Sequence, residues 1–247
     1  MESIKESVKK FFEGWTKFEM TWLTIAVLLM TGISIFSGDS FIALVSGVTG
    51  IVGVVLAAKG RPLAFIFAVI HAAAFAYLAF MNSLYGTFMI NILYYIPMNC
   101  LGFYMWSKNK NGKTGDARAR SLTKKQLALV FAAVVVATIA YSQILTMLGG
   151  SLAVLDAVAT VFVFTAILMQ VSRFAEMWLM FIFSNAANLL VWAALLGTEP
   201  SAPTMVAMWC AYIFNACFGY LNWRRLAKKE SVEAAPAIEA APEADQA

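Results

Sequence analysis

Eight uninterrupted apolar stretches, each long enough to cross a bilayer, occupy most of the chain: residues 20–37, 41–58, 62–81, 87–106, 126–147, 151–170, 174–196 and 203–223. A helix rises ~1.5 Å per residue, so roughly 17–25 apolar residues cover the ~30 Å hydrocarbon core. At 61% hydrophobic and 13% charged, the chain lacks the polar surface of a soluble domain of its 247 residues. The runs are continuous rather than alternating, which excludes a β-barrel. The first is read as a helix rather than a signal peptide, because 19 mostly polar residues precede it and Ser37-Gly38-Asp39 is a poor cleavage site.

The charges order these runs. Lys5, Lys9, Lys10 and Lys17 precede the first; Lys59 and Arg61 follow the second; seven basic residues lie from Lys108 to Lys125; Arg173 follows the sixth run and four basic residues from Arg224 to Lys229 follow the eighth. All 18 Lys and Arg therefore fall on one side of an eight-helix path, while the opposite turns carry acids such as Asp39 and Glu199. By the positive-inside rule both termini are expected in the cytoplasm. Ile4, Val8, Phe11, Phe12 and Trp15 recur at helical spacing, so residues 1–19 are expected as an amphipathic interfacial segment. The Ala, Glu and Pro of the end of the chain predict a disordered cytoplasmic tail within 224–247.

Two segments echo one another. Gly102-Phe-Tyr-Met-Trp106 and Gly219-Tyr-Leu-Asn-Trp223 each close a span before basic residues, and the turns at Arg61 and Arg173 precede the glycines Gly86 and Gly197 by 25 and 24 residues. A six-residue insertion around Pro200 and Pro203 accounts for the longer second copy. The spacing predicts two three-helix repeats, 41–106 and 151–223, with a basic loop at 107–125, a linker helix at 126–147 and an extra first helix at 20–37. Because three is odd, the single linker helix returns the second unit to the orientation of the first. The repeats are therefore parallel, as in SWEET-type transporters, whose substrate site lies near the midplane between the units.

A midplane site should appear as polar and aromatic residues on one face of each lining helix, because such groups are costly in lipid. Trp178, Phe181, Asn185, Asn188 and Trp192 follow spacings of 3, 4, 3 and 4 and share a face. Asn91, Tyr95, Asn99, Gly102 and Trp106 form a second stripe, and Tyr212, Asn215, Gly219 and Asn222 a third. The structural alternatives are interhelical hydrogen bonds for the asparagines and close packing for the glycines. Trp106 and Trp223 read as anchors in the inner interface. Aromatic faces suit a flat or cationic ring, and asparagine suits carboxamides and hydroxyls, so the expected ligand is planar at one end and hydroxylated at the other. Trp178, Phe181, Asn185, Asn188, Asn91, Tyr95, Asn99, Tyr212 and Asn215 are the candidate binding residues, and Pro97 is a candidate hinge.

The Leu84-Tyr-Gly86 turn, the Gly102-Phe-Tyr-Met-Trp106 end and Glu176-Met-Trp178 resemble the PnuC family of nicotinamide riboside and related vitamin transporters, over about residues 41–225. The resemblance implies a bacterial inner-membrane protein, trimeric, that passes nicotinamide riboside by facilitated diffusion while a cytoplasmic kinase traps the product. Some members carry thiamine or riboflavin. Phe181 stands where some relatives have tryptophan and Asn185 where some have an acid, and the first helix looks like an addition to a seven-helix core.

The remaining groups weigh the other classes. Interior acids usually mark ion coupling, but the spans hold only Asp156, Glu176 and His71; both acids lie near helix starts, where they complement the positive helix end. His71 reads first as a packing histidine and second as a substrate contact or pH sensor. An uncoupled uniporter is therefore expected. No span holds a mid-helix lysine for a retinal Schiff base, and no clustered nucleophile, base or carboxylate pair indicates an enzyme. Cys100, Cys210 and Cys217 lie in apolar runs without metal-ligand spacing, so neither metal nor cofactor is expected, and nucleic-acid binding is not. A SWEET-like sugar transporter, an oligomeric channel and a non-transporting scaffold remain as alternatives.

Overall fold

The computed structural model describes residues 12, 14–36, 38, 40–83, 85–112, 115–150, 152–198 and 202–239. It is all-helical: α1 (Lys17–Phe36), α2 (Phe41–Lys59), α3 (Ala64–Met81), α4 (Tyr85–Ile90), a π-helical turn (Asn91–Tyr95), α5 (Ile96–Lys108), α6 (Lys124–Met147), α7 (Ala153–Val171), α8 (Met177–Ala194) and α9 (Ala202–Glu239). Among the described residues seven helices are long and apolar enough to cross a membrane. The polar and aromatic residues Trp209, Tyr212 and Asn215 dilute the apolar character of α9. Leu28, Phe36, Phe41, Leu129 and Val136 are exposed on the outside of the bundle, as a lipid-facing surface requires.

Local chemistry sets the helix ends. Ser40 caps α2 by accepting the Ala43 N–H, and Thr123 and Gln126 form a capping box at the start of α6. Thr16 and Glu19 form the same reciprocal pair at α1. The expected interfacial segment 1–19 lies largely outside the described residues. Two expectations are corrected. The span 87–106 is not one α-helix, because Pro97 has no N–H to give and its ring would crowd the carbonyl four residues back. The chain widens instead into the π-turn, where the Ile96 N–H bonds the Asn91 carbonyl. The tail also continues as helix to Glu239, and near its start Glu230 accepts from Asn111; residues 240–247 lie outside the described residues.

The helices pack in a matched way. α2 lies along α3 and α7 along α8, α5 crosses onto α7, and α9 crosses onto α2 as well as α8. Trp106 on α5 donates its indole N–H to the Gln170 carbonyl at 2.7 Å, and Trp223 on α9 donates to the Ala57 carbonyl at 2.9 Å. The two rings meet, centroids 4.8 Å apart, and both are fully buried. They are core ties between helices, not interface anchors, because each indole donor finds a second lone pair on a carbonyl in the last turn of a facing helix. The turns after α2 and α7 match as well: Gly60 and Arg173 take left-handed backbone, φ 88° and 65°, and the next residue closes back to Leu56 and Met169. In turn geometry Arg173 resembles Gly60 rather than Arg61.

The glycines of the two closing motifs each receive an aromatic ring. A Cβ on Gly102 would lie 2.3 Å from the Phe65 ring, and one on Gly219 would lie 2.6 Å from the Trp178 indole. Gly219→Ala should therefore destabilise the fold by about 1–3 kcal/mol through forced displacement of Trp178. A thermal melt in detergent tests this, and an unchanged midpoint would contradict it.

One end of the bundle gathers the basic segments. Lys59 reaches Glu19 and the Gly14 carbonyl; the Ala117 N–H bonds the Gly60 carbonyl; Arg120 and Arg173 are joined by a backbone bond of 2.8 Å; Asn111 reaches Glu230. Loop 107–125 is thereby sewn across both turns, with Ala117 and Ala119 buried. Glu176 closes the seam, accepting from the Ser121 hydroxyl and the Leu122 N–H.

Candidate substrate site

A cavity of about 270 Å³ opens between α2, α3, α5, α7, α8 and α9. It is slightly below the ~300–1,000 Å³ usual for drug-sized ligands, which suits a compact nucleoside-sized guest. The helix α8 supplies Trp178, Phe181 and Asn185; the π-turn and α5 supply Tyr95 and Asn99; α9 supplies Trp209, Tyr212 and Asn215. Seven of the nine sequence-selected residues thus meet around one space. Their spacing predicts a common face on each helix, and the crossing of α9 and α8 brings the faces together.

The aromatic part is preorganised. Trp178 is 3% exposed, seated on Gly219, with its centroid 5.7 Å from that of Phe181. Trp209 meets Tyr212 edge to face at 5.6 Å. The indole N–H groups of Trp178 and Trp209 are both buried and have no partner among the described residues. A buried donor left unmade costs about 1–3 kcal/mol, so two at one cavity point to a guest that accepts from them.

The asparagines divide into two kinds. The Asn185 side chain bonds none of the described residues and is nearly buried at the wall. Asn215 is occupied at both ends, its oxygen accepting from the Trp22 indole and its amide donating to the Val54 carbonyl, each at 3.2 Å. It ties α1, α9 and α2 together. Asn99 donates to the Tyr95 carbonyl at 2.8 Å, which leaves its oxygen as the group to offer. Asn91 and Asn188 are not brought to the cavity. Each folds back on its own helix, Asn91 to the Thr87 carbonyl and Asn188 to the Ser184 carbonyl, because an amide in an apolar layer takes the carbonyl one turn back when nothing nearer accepts.

Among the wall residues outside the sequence stripes, four carry an aromatic ring or a polar side chain: Phe65, His71, Gln170 and Trp209. Trp209 lies three residues before Tyr212 on the same face, so its signal was present in the spacing. Phe65 and Gln170 carry no distinguishing pattern. His71 lines the cavity, its Nδ1 2.8 Å from the Ser46 carbonyl and its ring stacked on Phe75 at 5.8 Å. Since a carbonyl only accepts, Nδ1 carries a proton in this arrangement, and in the neutral ring Nε2 is left as an acceptor. Gly50 makes the room, because a Cβ there would come within 2.9 Å of Nδ1. Ser184 makes a comparable bond between α8 and α7, its hydroxyl donating to the Ala159 carbonyl at 2.7 Å. Pro97 stands in the first turn of α5, between the wall residues Tyr95 and Asn99.

The described residues contain no cluster of His, Cys, Asp and Glu able to hold a metal. No Lys or Arg is among the described residues that line the cavity.

Comparison with known proteins agrees with this architecture. The chain is 35% identical over 229 residues to the nicotinamide riboside transporter PnuC of Neisseria mucosa, covering 90% of this chain and 87% of the relative. It is 30% identical to the protein of that name from Haemophilus influenzae, covering 90% and 96%. The crystal structure of a vitamin B3 transporter PnuC superposes with a TM-score of 0.75 at 34% identity, covering 90% of this chain and 97% of that one. The family model described as nicotinamide mononucleotide transporter matches residues 40–225, from the residue before α2 through the basic pair that follows Trp223. The chain therefore belongs to the nicotinamide mononucleotide transporter family of multi-pass membrane proteins.

Proposed function

We propose that this protein passes nicotinamide riboside across the bacterial inner membrane by facilitated diffusion, with the cavity between α2, α3, α5, α7, α8 and α9 as its binding site. The observation that carries the reading is the pair of unpartnered buried indole donors, Trp178 and Trp209, at a cavity whose described lining residues include no Lys or Arg. The pyridinium ring is cationic, and aromatic walls attract such a ring by about 0.5–2 kcal/mol per contact. A phosphate would be desolvated there with no cation to meet it, which favours the nucleoside over its mononucleotide. Trp178 and Phe181 hold the ring, Asn185 pairs with the carboxamide or ribose, and Asn99, Tyr95 and Tyr212 complete the wall.

Eight spanning helices, arranged as parallel units 41–106 and 151–223 about the linker 126–147, make up the transporter, with both termini in the cytoplasm. The paired ties Trp106–Gln170 and Trp223–Ala57 support this arrangement. Access alternates by rocking of one unit on the other, with the π-turn and Pro97 as the yielding point in α4–α5. Phosphorylation in the cytoplasm traps the cargo, and the functional assembly is a trimer.

Calorimetric titration with nicotinamide riboside, its mononucleotide, thiamine, riboflavin and glucose tests the reading. Saturable binding is expected for nicotinamide riboside, weakened by about 1–3 kcal/mol in Asn185→Ala. Binding of thiamine, riboflavin or glucose in its place would move the cargo. Uptake into vesicles that depends on a proton or sodium gradient would end the uniporter reading.

A further inference from the structure

At the basic end of the bundle a second, larger cleft of about 980 Å³ lies apart from the midplane cavity. Six cations face it: Arg118 and Arg120 from the loop, Arg173 from the turn between α7 and α8, and Arg224, Arg225 and Lys228 from α9. Glu230 is the one acid among its described lining residues.

Aromatic faces hold two of these cations, Arg120 and Arg224, in place. The Arg120 guanidinium lies 4.7 Å from the Phe174 ring centroid, and Arg224 lies 5.7 Å from that of Tyr220 while donating to its hydroxyl at 2.9 Å. Arg118 approaches Glu230 only to 3.8 Å. Arg173 takes a left-handed backbone, φ 65°, that a non-glycine residue adopts at a cost. Its Nε is buried without a partner among the described residues. Burial, first, and then the neighbouring guanidiniums of Arg120 and Arg118 lower its pKa, against a smaller opposing effect of Glu230. The matching turn of the other half is built differently. There a glycine, Gly60, takes the left-handed position, and the adjacent Arg61 is neutralised by Asp116 at 3.0 Å.

Basic residues at the inner end of membrane helices ordinarily spread outward toward lipid headgroups. Here they converge from three chain segments on one concavity, which brings several guanidinium forks within reach of a single multivalent anion. We propose that this cleft is a binding site for a phosphate-bearing anion, clasped between Arg118 and Arg120 on one wall and Arg224 and Arg225 on the other. Two sources present that chemistry, the headgroup of an anionic phospholipid and a free phosphorylated metabolite. Either would brace the start of α8, which carries Trp178, against α9, which carries Trp209.

The test titrates the full chain in an uncharged detergent with inorganic pyrophosphate at low and high salt, and compares two double variants. R118Q/R224Q removes two charges from the cleft; K124Q/K125Q removes two charges from the neighbouring start of α6, outside the cleft lining. Pyrophosphate is expected to bind the wild type and K124Q/K125Q alike, and R118Q/R224Q roughly tenfold or more weakly. Arg225→Gln, at an exposed position, gives a smaller loss in the same direction and replaces the double variant if that one melts early. Repeating the titration in phosphatidylcholine nanodiscs with and without phosphatidylglycerol separates the sources. Loss of pyrophosphate binding with phosphatidylglycerol assigns the site to the lipid headgroup, and undiminished binding assigns it to a free phosphate. Equal binding by R118Q/R224Q and wild type, equal loss in K124Q/K125Q, or no saturable binding of either probe overturns the proposal.

Discussion

Trp178→Ala should cut the affinity for nicotinamide riboside by roughly 10- to 100-fold, because it removes both the aromatic platform and one of the two unmade indole donors at the cavity. The same substitution empties the space above Gly219 and should cost about 3–5 kcal/mol of stability, so the loss of binding must be read on protein shown to be folded. Trp178→Phe separates the two effects. It keeps a smaller ring near the glycine and deletes the N–H, which has no partner among the described residues, together with part of the indole's buried bulk, so the melting point should fall less than in Trp178→Ala while affinity falls by about 1–2 kcal/mol. Wild-type affinity in both variants would remove Trp178 from the site.

The largest stability effect away from the cavity is expected at Glu19. Its carboxylate meets the Lys59 ammonium at 2.8 Å, with the two side chains only 6% and 12% exposed, and it also accepts from the Thr16 N–H at the start of α1. Lys59 lies 5.9 Å from the centroid of the Trp15 ring and donates to the Gly14 carbonyl at 2.6 Å, so it has no easy route to water. Glu19→Ala leaves that ammonium without its counter-charge, a change that costs about 3–5 kcal/mol for buried pairs. At roughly 2–4 °C per kcal/mol for a chain of this size, the midpoint should drop by about 6–20 °C. Removing both charges, Glu19→Gln with Lys59→Met, should recover most of the loss. A single variant that melts within about 2 °C of wild type would show that the pair is worth little.

Several features were legible in the residues because they depend on one helix at a time. The apolar runs locate α1, α2, α3, α6, α7 and α8 to within about three residues, and the spacing of Trp178, Phe181 and Asn185 identifies the face of α8 that meets the cavity. Other features depend on what stands opposite. Asn188 shares that face but lies beyond the cavity wall, and Asn215, picked as a ligand, spends both ends on Trp22 and Val54. Trp106 and Trp223 carry the composition of interface anchors, yet the facing carbonyls of Gln170 and Ala57 draw them inside. Thr16 and Glu19 show the spacing of a capping box, but only the approach of Lys59 makes the acid a buried ion pair.

The division has a simple physical cause. Crossing a bilayer is a requirement each segment must meet alone, through length, apolarity and the side on which its charges fall, so the amino-acid sequence suffices for the helices, for their lipid-facing character and for the family to which the chain belongs. A cavity is a property of several helices at once. Which donors stay unmade, which asparagines find a carbonyl, and how six cations come to share one cleft are decided by the crossings of α5 on α7 and α9 on α2, contacts between residues far apart in the chain that no local periodicity encodes.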